Sequence, residues 1–142
     1  MNWFDKKRAV VPIDFGEDSN RAVDVALDIL CHPENVRVIH VAPDMSLVGP
    51  GIAMGAMDQQ ARQQQLEKTF HDRFKDTKYH NVQYTTAFGD PGHKIADYAQ
   101  DIQADLIVMP SQGRTGLTRI LIGSVAERVV RLAHCPVLVL RN

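Results

Sequence analysis

The chain predicts an α/β fold, a parallel sheet with helices on both faces, and three observations carry that reading. Five short apolar runs alternate with four segments of helical periodicity. The first, fourth and fifth runs are apolar at nearly every position instead of every second one, as in strands buried on both faces. No repeat, low-complexity tract or linker interrupts the alternation, so the 142 residues read as one domain. Right-handed crossovers then join its parallel strands.

The first strand is Ala9 to Asp14, and Phe15 to Asn20 breaks it. Arg21 to Leu30 sets Ala22, Val23, Ala26, Leu27 and Leu30 on one helical face, with Asp24 and Asp28 pointing away and Asp18 or Ser19 as N-cap. Val36 to Val41, rich in β-branched residues, is the second strand, closed by Ala42 and Pro43. From Pro43 to Met57 the chain is rich in Gly, Pro and Met without periodicity, which reads as a long loop, either a lid or a partner surface. Asp58 to about Asp76 reads as a polar helix whose Leu66, Phe70 and Phe74, four apart, dock on the sheet. Val82 to Phe88 is the third strand, ended by Gly89. Asp90 and Pro91 supply an N-cap and a first-turn proline for a helix burying Ile95, Ala96, Ala99 and Ile102. Leu106 to Met109 forms the fourth strand and Pro136 to Leu140 the fifth.

A formal net charge of −1 gives no electrostatic footprint for nucleic acid or an anionic membrane. The start, Met1 to Arg8, is charged and leads into a run too short for a secretory leader, so a reducing cytoplasm is the expected compartment. The two cysteines, Cys31 and Cys135, each have a neighbouring histidine, His32 and His134, but adjacent Cys-His pairs lack zinc-ligand spacing. Both cysteines are expected to pack as small buried hydrophobes.

Ligands of open α/β sheets bind beyond the carboxyl ends of the strands, where strand order reverses. That rule selects Asp14, Val41, Gly89 and the Ser111 to Ser124 loop. The loop is the most informative stretch, because Gly123 and Ser124 fall where the last helix begins. A helix start offers unpaired N–H groups and a positive dipole end, and a glycine lets a ligand approach the backbone closely. Ser124 is placed to cap the helix or to bond a phosphate oxygen. Asp14 is either an acceptor for ribose hydroxyls or a turn residue, and Arg114 and Arg119 are either phosphate partners or solvated charges. His40 and His71 read as packing or surface residues. There is no Gly-x-x-x-x-Gly-Lys-[Ser/Thr], no Gly-x-Gly-x-x-Gly after the first strand, and no Gly-x-Ser-x-Gly around Ser111. The pattern points to nucleotide binding and not to catalysis.

Together the loop, Val-Pro-Ile-Asp14, Ile-His-Val41, Gly89-Asp-Pro91, Leu-Ile-Val-Met109 and Ala-His-Cys-Pro-Val-Leu-Val139 resemble the universal stress protein family over nearly the whole chain. ATP-binding members carry Gly-x2-Gly-x9-Gly-[Ser/Thr], and Gly113, nine residues, Gly123 and Ser124 match its second half. Pro110 stands at the first glycine, with no N–H and a fixed φ. The resemblance implies a Rossmann-like, adenine nucleotide alpha hydrolase-like fold with strand order 3-2-1-4-5. It implies a homodimer paired through Pro136 to Leu140, and ATP, AMP or ADP as regulatory ligand. Val41 would then meet adenine, Asp14 the ribose, and Gly113, Gly123 and Ser124 the phosphates, with Pro12, Arg114 and Val125 completing the set. Mg2+ would bridge phosphate oxygens without protein ligands, and hydrolysis would be slow or absent. The alternative is a protein-interaction module of the same fold that binds no nucleotide.

Overall fold

The computed structural model describes residues 6–44, 52–111 and 122–141. Gly113, Arg114 and Arg119 lie outside the described residues. The strands are β1 (Ala9–Pro12), β2 (Val36–Ala42), β3 (Gln83–Phe88), β4 (Leu106–Pro110) and β5 (Val137–Leu140). The helices are α1 (Ser19–Leu30), α2 (Ile52–Arg73), α3 (Pro91–Asp101) and α4 (Ser124–Leu132). Every strand pairing is parallel, in the order β3-β2-β1-β4-β5. The chain moves outward from β1 to β3 and then crosses back to β4, so strand order reverses between β1 and β4.

Side chains that alternate along each strand feed two cores. Ala9, Val11, Val38 and Val108 pack on one face with Ala22, Val23 and Ala26 of α1, Phe70 of α2 and Phe74 just past its end. Val10, Ile39, Ile107 and Met109 pack on the other with Ile95 and Ala99 of α3 and Ala126 and Val129 of α4. Phe70 anchors the first core, its ring stacked at 4.8 Å on Phe74 and at 4.4 Å on Tyr84.

The cap of α3 forms as its sequence dictates: the Asp90 carboxylate accepts the His93 N–H at 3.1 Å, with Pro91 in the first turn. At α1 the N-cap is Asp18, but its side chain makes no capping bond. Helix α2 departs most from expectation, starting at Ile52 inside the stretch read as loop. Its first turns, Ile-Ala-Met-Gly-Ala-Met, hold strong helix formers around one glycine, and their propensity outweighs the Gly and Met bias that suggested a loop. Smaller shifts lie at strand and helix ends: Ile13 follows β1, Val82 and Pro136 precede β3 and β5, and Ile102 is the C-cap of α3. Ile13 and Pro136 still join the sheet, through Ile13 N–H to the Ile39 carbonyl (2.9 Å) and Ile107 N–H to the Pro136 carbonyl (3.0 Å). Cys31 is exposed, not buried, because it is the left-handed C-cap of α1 at φ 59°. Cys135 is half-buried against the second core, and burial raises its thiol pKa. Asp24 points away from the core, where it accepts the Tyr79 hydroxyl at 2.6 Å and pairs with Lys78 at 3.2 Å. Among the described residues no helix is long and apolar enough to cross a membrane.

Candidate functional site

The exits of β1, β2 and β4 lie together at the carboxyl edge of the sheet, where the strand order reverses between β1 and β4. Pro12, buried, ends β1 opposite Ile39, the last pair of the β1–β2 ladder. Strand β2 continues to Ala42, so Val41 projects beyond β1. The Ile39 carbonyl faces β1 and the Ala42 carbonyl faces β3, where it accepts the Gly89 N–H at 2.9 Å. By strand alternation the N–H and C=O of Val41 therefore face the β1 side, past the point where β1 leaves the sheet. Asp14 sits half-exposed at that point, one carboxylate oxygen accepting the Gly16 N–H at 2.8 Å. This local bond fixes the carboxylate at the turn into α1.

His40 does more than pack. Its Nδ1 lies 2.8 Å from the Ile13 carbonyl, and a carbonyl only accepts, so Nδ1 carries the proton. Its ring meets Phe15 at 4.8 Å. Phe15 itself holds a left-handed backbone, φ 62°, which costs a non-glycine residue about 1–2 kcal/mol.

Across the order reversal, α4 begins as the sequence indicates. Gly123 is the N-cap and Ser124 the first helical residue, with no side-chain cap. The Gly123 N–H is already given to the Ser111 carbonyl at 2.6 Å, and the first intrahelical bond runs from Glu127 N–H to the Gly123 carbonyl at 3.0 Å. The N–H groups of Ser124, Val125 and Ala126 thus precede any intrahelical acceptor and carry the positive end of the helix dipole. Ser124 and Val125 are exposed there. Gly123 adopts φ −62° and ψ 157°, a conformation open to any residue, so its dihedrals alone do not call for glycine.

A cavity of about 780 Å³ lies at the opposite, amino edge of the sheet, lined by Lys6, Lys7, Arg8, His32 and Asp105 among others. Asp105 accepts the Lys7 and Arg8 N–H groups at 3.0 Å each. The carboxyl ends of α1 and α3, with their negative dipole ends, border this cavity through Leu30 and Gln103. The cavity thus lies at the edge away from the carboxyl ends of the strands, beyond which open α/β sheets bind ligands. Among the described residues no three His, Cys, Asp or Glu side chains gather as metal ligands.

Two arginines of α2 were not singled out by sequence. Arg73 reaches the Phe15 carbonyl through Nη1, the Gly16 carbonyl through Nη2 at 2.5 Å, and Asn20 Oδ1 through Nε at 2.7 Å. Arg62 donates to the Pro43 carbonyl at 3.0 Å and lies over the Phe88 ring at 5.4 Å. A polar helix with many charged residues gives no local sign of which arginine turns inward.

These features define a class: a doubly wound parallel α/β protein with the N-terminus of a helix at its topological switch point. The family model described as universal stress protein family matches residues 6–141, and the chain belongs to that family. It is 34% identical to universal stress protein MJ0531 of Methanocaldococcus jannaschii, over 96% of this chain and 82% of that one. It is 27% identical to universal stress protein YxiE of Bacillus subtilis, over 94% and 98% of the two chains. Among solved structures, universal stress protein UspA from Lactobacillus plantarum superposes with TM-score 0.74 at 24% identity, covering 96% of this chain and 99% of that one. A universal stress protein in complex with cAMP superposes with TM-score 0.64 at 22% identity, covering 96% and 97%. At such identities these two likenesses speak to the fold.

Proposed function

We propose that this universal stress protein binds an adenine nucleotide, ATP or its AMP or ADP relatives, as a regulatory ligand in the crevice between the exits of β1 and β4. The observation that carries this reading is the run of amides at Ser124, Val125 and Ala126, which has no intrahelical acceptors and opens an α-helix at the switch point. Asp14 suits the ribose hydroxyls, the outward main chain of Val41 suits the edge of adenine, and Pro12 backs the pocket from the end of β1. Gly113 and Arg114 complete the phosphate site by family resemblance. The cAMP complex of a relative with this fold supports an adenine ligand. Mg2+ would ride on phosphate oxygens without protein ligands.

The protein works as one cytoplasmic domain that pairs into a homodimer along β5, without nucleic acid or membrane. The Pro136 carbonyl accepts from Ile107 of β4 and the Leu140 carbonyl from Ser111 just after it, so by alternation the main-chain groups of Val137 and Val139 point outward from the sheet. Calorimetric titration with Mg·ATP tests the ligand. Wild-type affinity tighter than 1 mM, about −4.1 kcal/mol, lost in Gly123→Val, supports it. Absence of binding at millimolar ligand favours the second reading, a nucleotide-free interaction module, which Pro110 motivates by standing inside β4 opposite Leu140 where ATP-binding relatives have the first loop glycine.

A further inference from the structure

We infer that Arg73 and Arg62 are positioning residues that let α2 hold the nucleotide crevice in register. This rests on the nucleotide reading for its ligand, but the clamp itself is a feature of the ligand-free protein. Eleven residues, about three turns, separate the two side chains, so they share one face of α2. Arg62 ties that face to the exits of β2 and β3, through the Pro43 carbonyl and the Phe88 ring. Arg73 ties it to the exit of β1, with all three of its guanidinium nitrogens engaged between Phe15 and Asn20.

The β1 exit needs such a clamp. Phe15 sits in the left-handed region, a conformation that persists only where its surroundings over-determine it. Arg73 grips the successive carbonyls of Phe15 and Gly16, the first belonging to the same peptide unit as the Gly16 N–H, and His40 grips the Ile13 carbonyl one residue before Asp14. The Asp14 carboxylate is thereby presented by a turn fastened at both ends, while its own Gly16 bond lies within the clamped peptide. A lysine cannot replace this arginine, because one ammonium lacks the planar fork that spans two adjacent carbonyls and an amide. Binding energy that a loose turn would spend on ordering Asp14 is saved when the turn is already fixed.

The test has two arms. In ligand-free protein, hydrogen exchange at the Gly16 amide is compared between wild type and Arg73→Gln, with Val108 in β4 as reference. Exchange at Gly16 rises at least tenfold while Val108 is unchanged. In the second arm Mg·ATP affinity is measured by calorimetry on folded protein. Arg73→Gln and Arg73→Lys each weaken it about tenfold, Arg62→Gln about threefold, and millimolar guanidinium ion restores the Arg73→Gln variant. An arginine that merely stabilised the fold would lower the melting temperature and leave the affinity of folded protein at the wild-type value. Wild-type Gly16 protection in Arg73→Gln, or in Arg73→Lys if the glutamine variant does not fold, overturns the inference whether or not ATP binds. If the wild type binds no ATP yet Gly16 loses protection, the clamp stands and the nucleotide reading falls.

Discussion

Replacing Gly92 by alanine separates helix propensity from packing. In an exposed helix interior this change stabilises by up to about 1 kcal/mol. Here a Cβ on Gly92 would lie 2.5 Å from both Cγ and Cδ of Arg128 and 2.8 Å from its Cβ. The Arg128 Cβ is fixed by the α4 backbone, so a new rotamer alone does not clear the contact, and α3 must move away from α4. Overpacking of this kind costs about 1–3 kcal/mol. Less the propensity gain, which is small in the first turn, Gly92→Ala destabilises by about 1–2 kcal/mol, a fall of roughly 3–8 °C in melting temperature at this chain length. Arg128→Ala alone costs little, because its pair with Asp90 at 2.9 Å joins side chains 53% and 43% exposed. The double variant removes two of the three contacts and recovers about 1 kcal/mol, read as coupling in urea melts of all four proteins. Should Gly92→Ala prove as stable as the wild type, the close approach of α3 and α4 is wrong.

Further outcomes follow from the same contacts. His93 lowers the Asp90 pKa, first through its ring and then through its backbone N–H, with Arg128 adding a smaller share. The resulting stability is full above the ordinary aspartate value of about 3.9 and is lost as pH falls through the lower folded value. Asp90→Asn keeps the cap, so its stability falls less steeply than wild type below about pH 4. Equal slopes in acid melts would refute this. Val139→Pro removes a main-chain donor that points outward from β5, so sedimentation should show monomers with an unchanged circular dichroism spectrum, whereas persistent dimers place the interface elsewhere. Ser124→Ala loses one hydrogen bond to phosphate, about 1 kcal/mol or roughly fivefold in ATP affinity. Unfolding of that variant would instead mark Ser124 as structural.

Much of the fold was legible because its signals are local. Strands β1, β4 and β5 were apolar throughout, the faces of α1 and α3 followed a 3.6-residue period, and Asp90-Pro91 announced its helix. Strand order was legible only through family resemblance, since periodicity does not say which strands are neighbours. The start of α2 was misread because Gly, Pro and Met upstream resembled a loop, although Ala53 and Ala56 favour a helix. Cys31 was misplaced because a left-handed C-cap puts an apolar residue in solvent. For the candidate site, Asp14, Val41, Gly123 and Ser124 were singled out from where strands end and helices begin. The positive φ was easier to expect at Gly16 than at Phe15, and Arg62 and Arg73 were not legible at all. Their partners lie 19 and at least 53 residues away, and contacts at that range leave no mark on local pattern.

The most direct test of the account is an amide NMR titration of the wild-type protein with Mg·ATP. The account predicts saturable shifts at Asp14, Gly16, Val41, Ser124, Val125 and Ala126, with Gly16 and Asp14 moving together as parts of one clamped turn. Shifts confined to Lys7, Arg8 and His32 at the opposite edge of the sheet, or none at millimolar ligand, would contradict it.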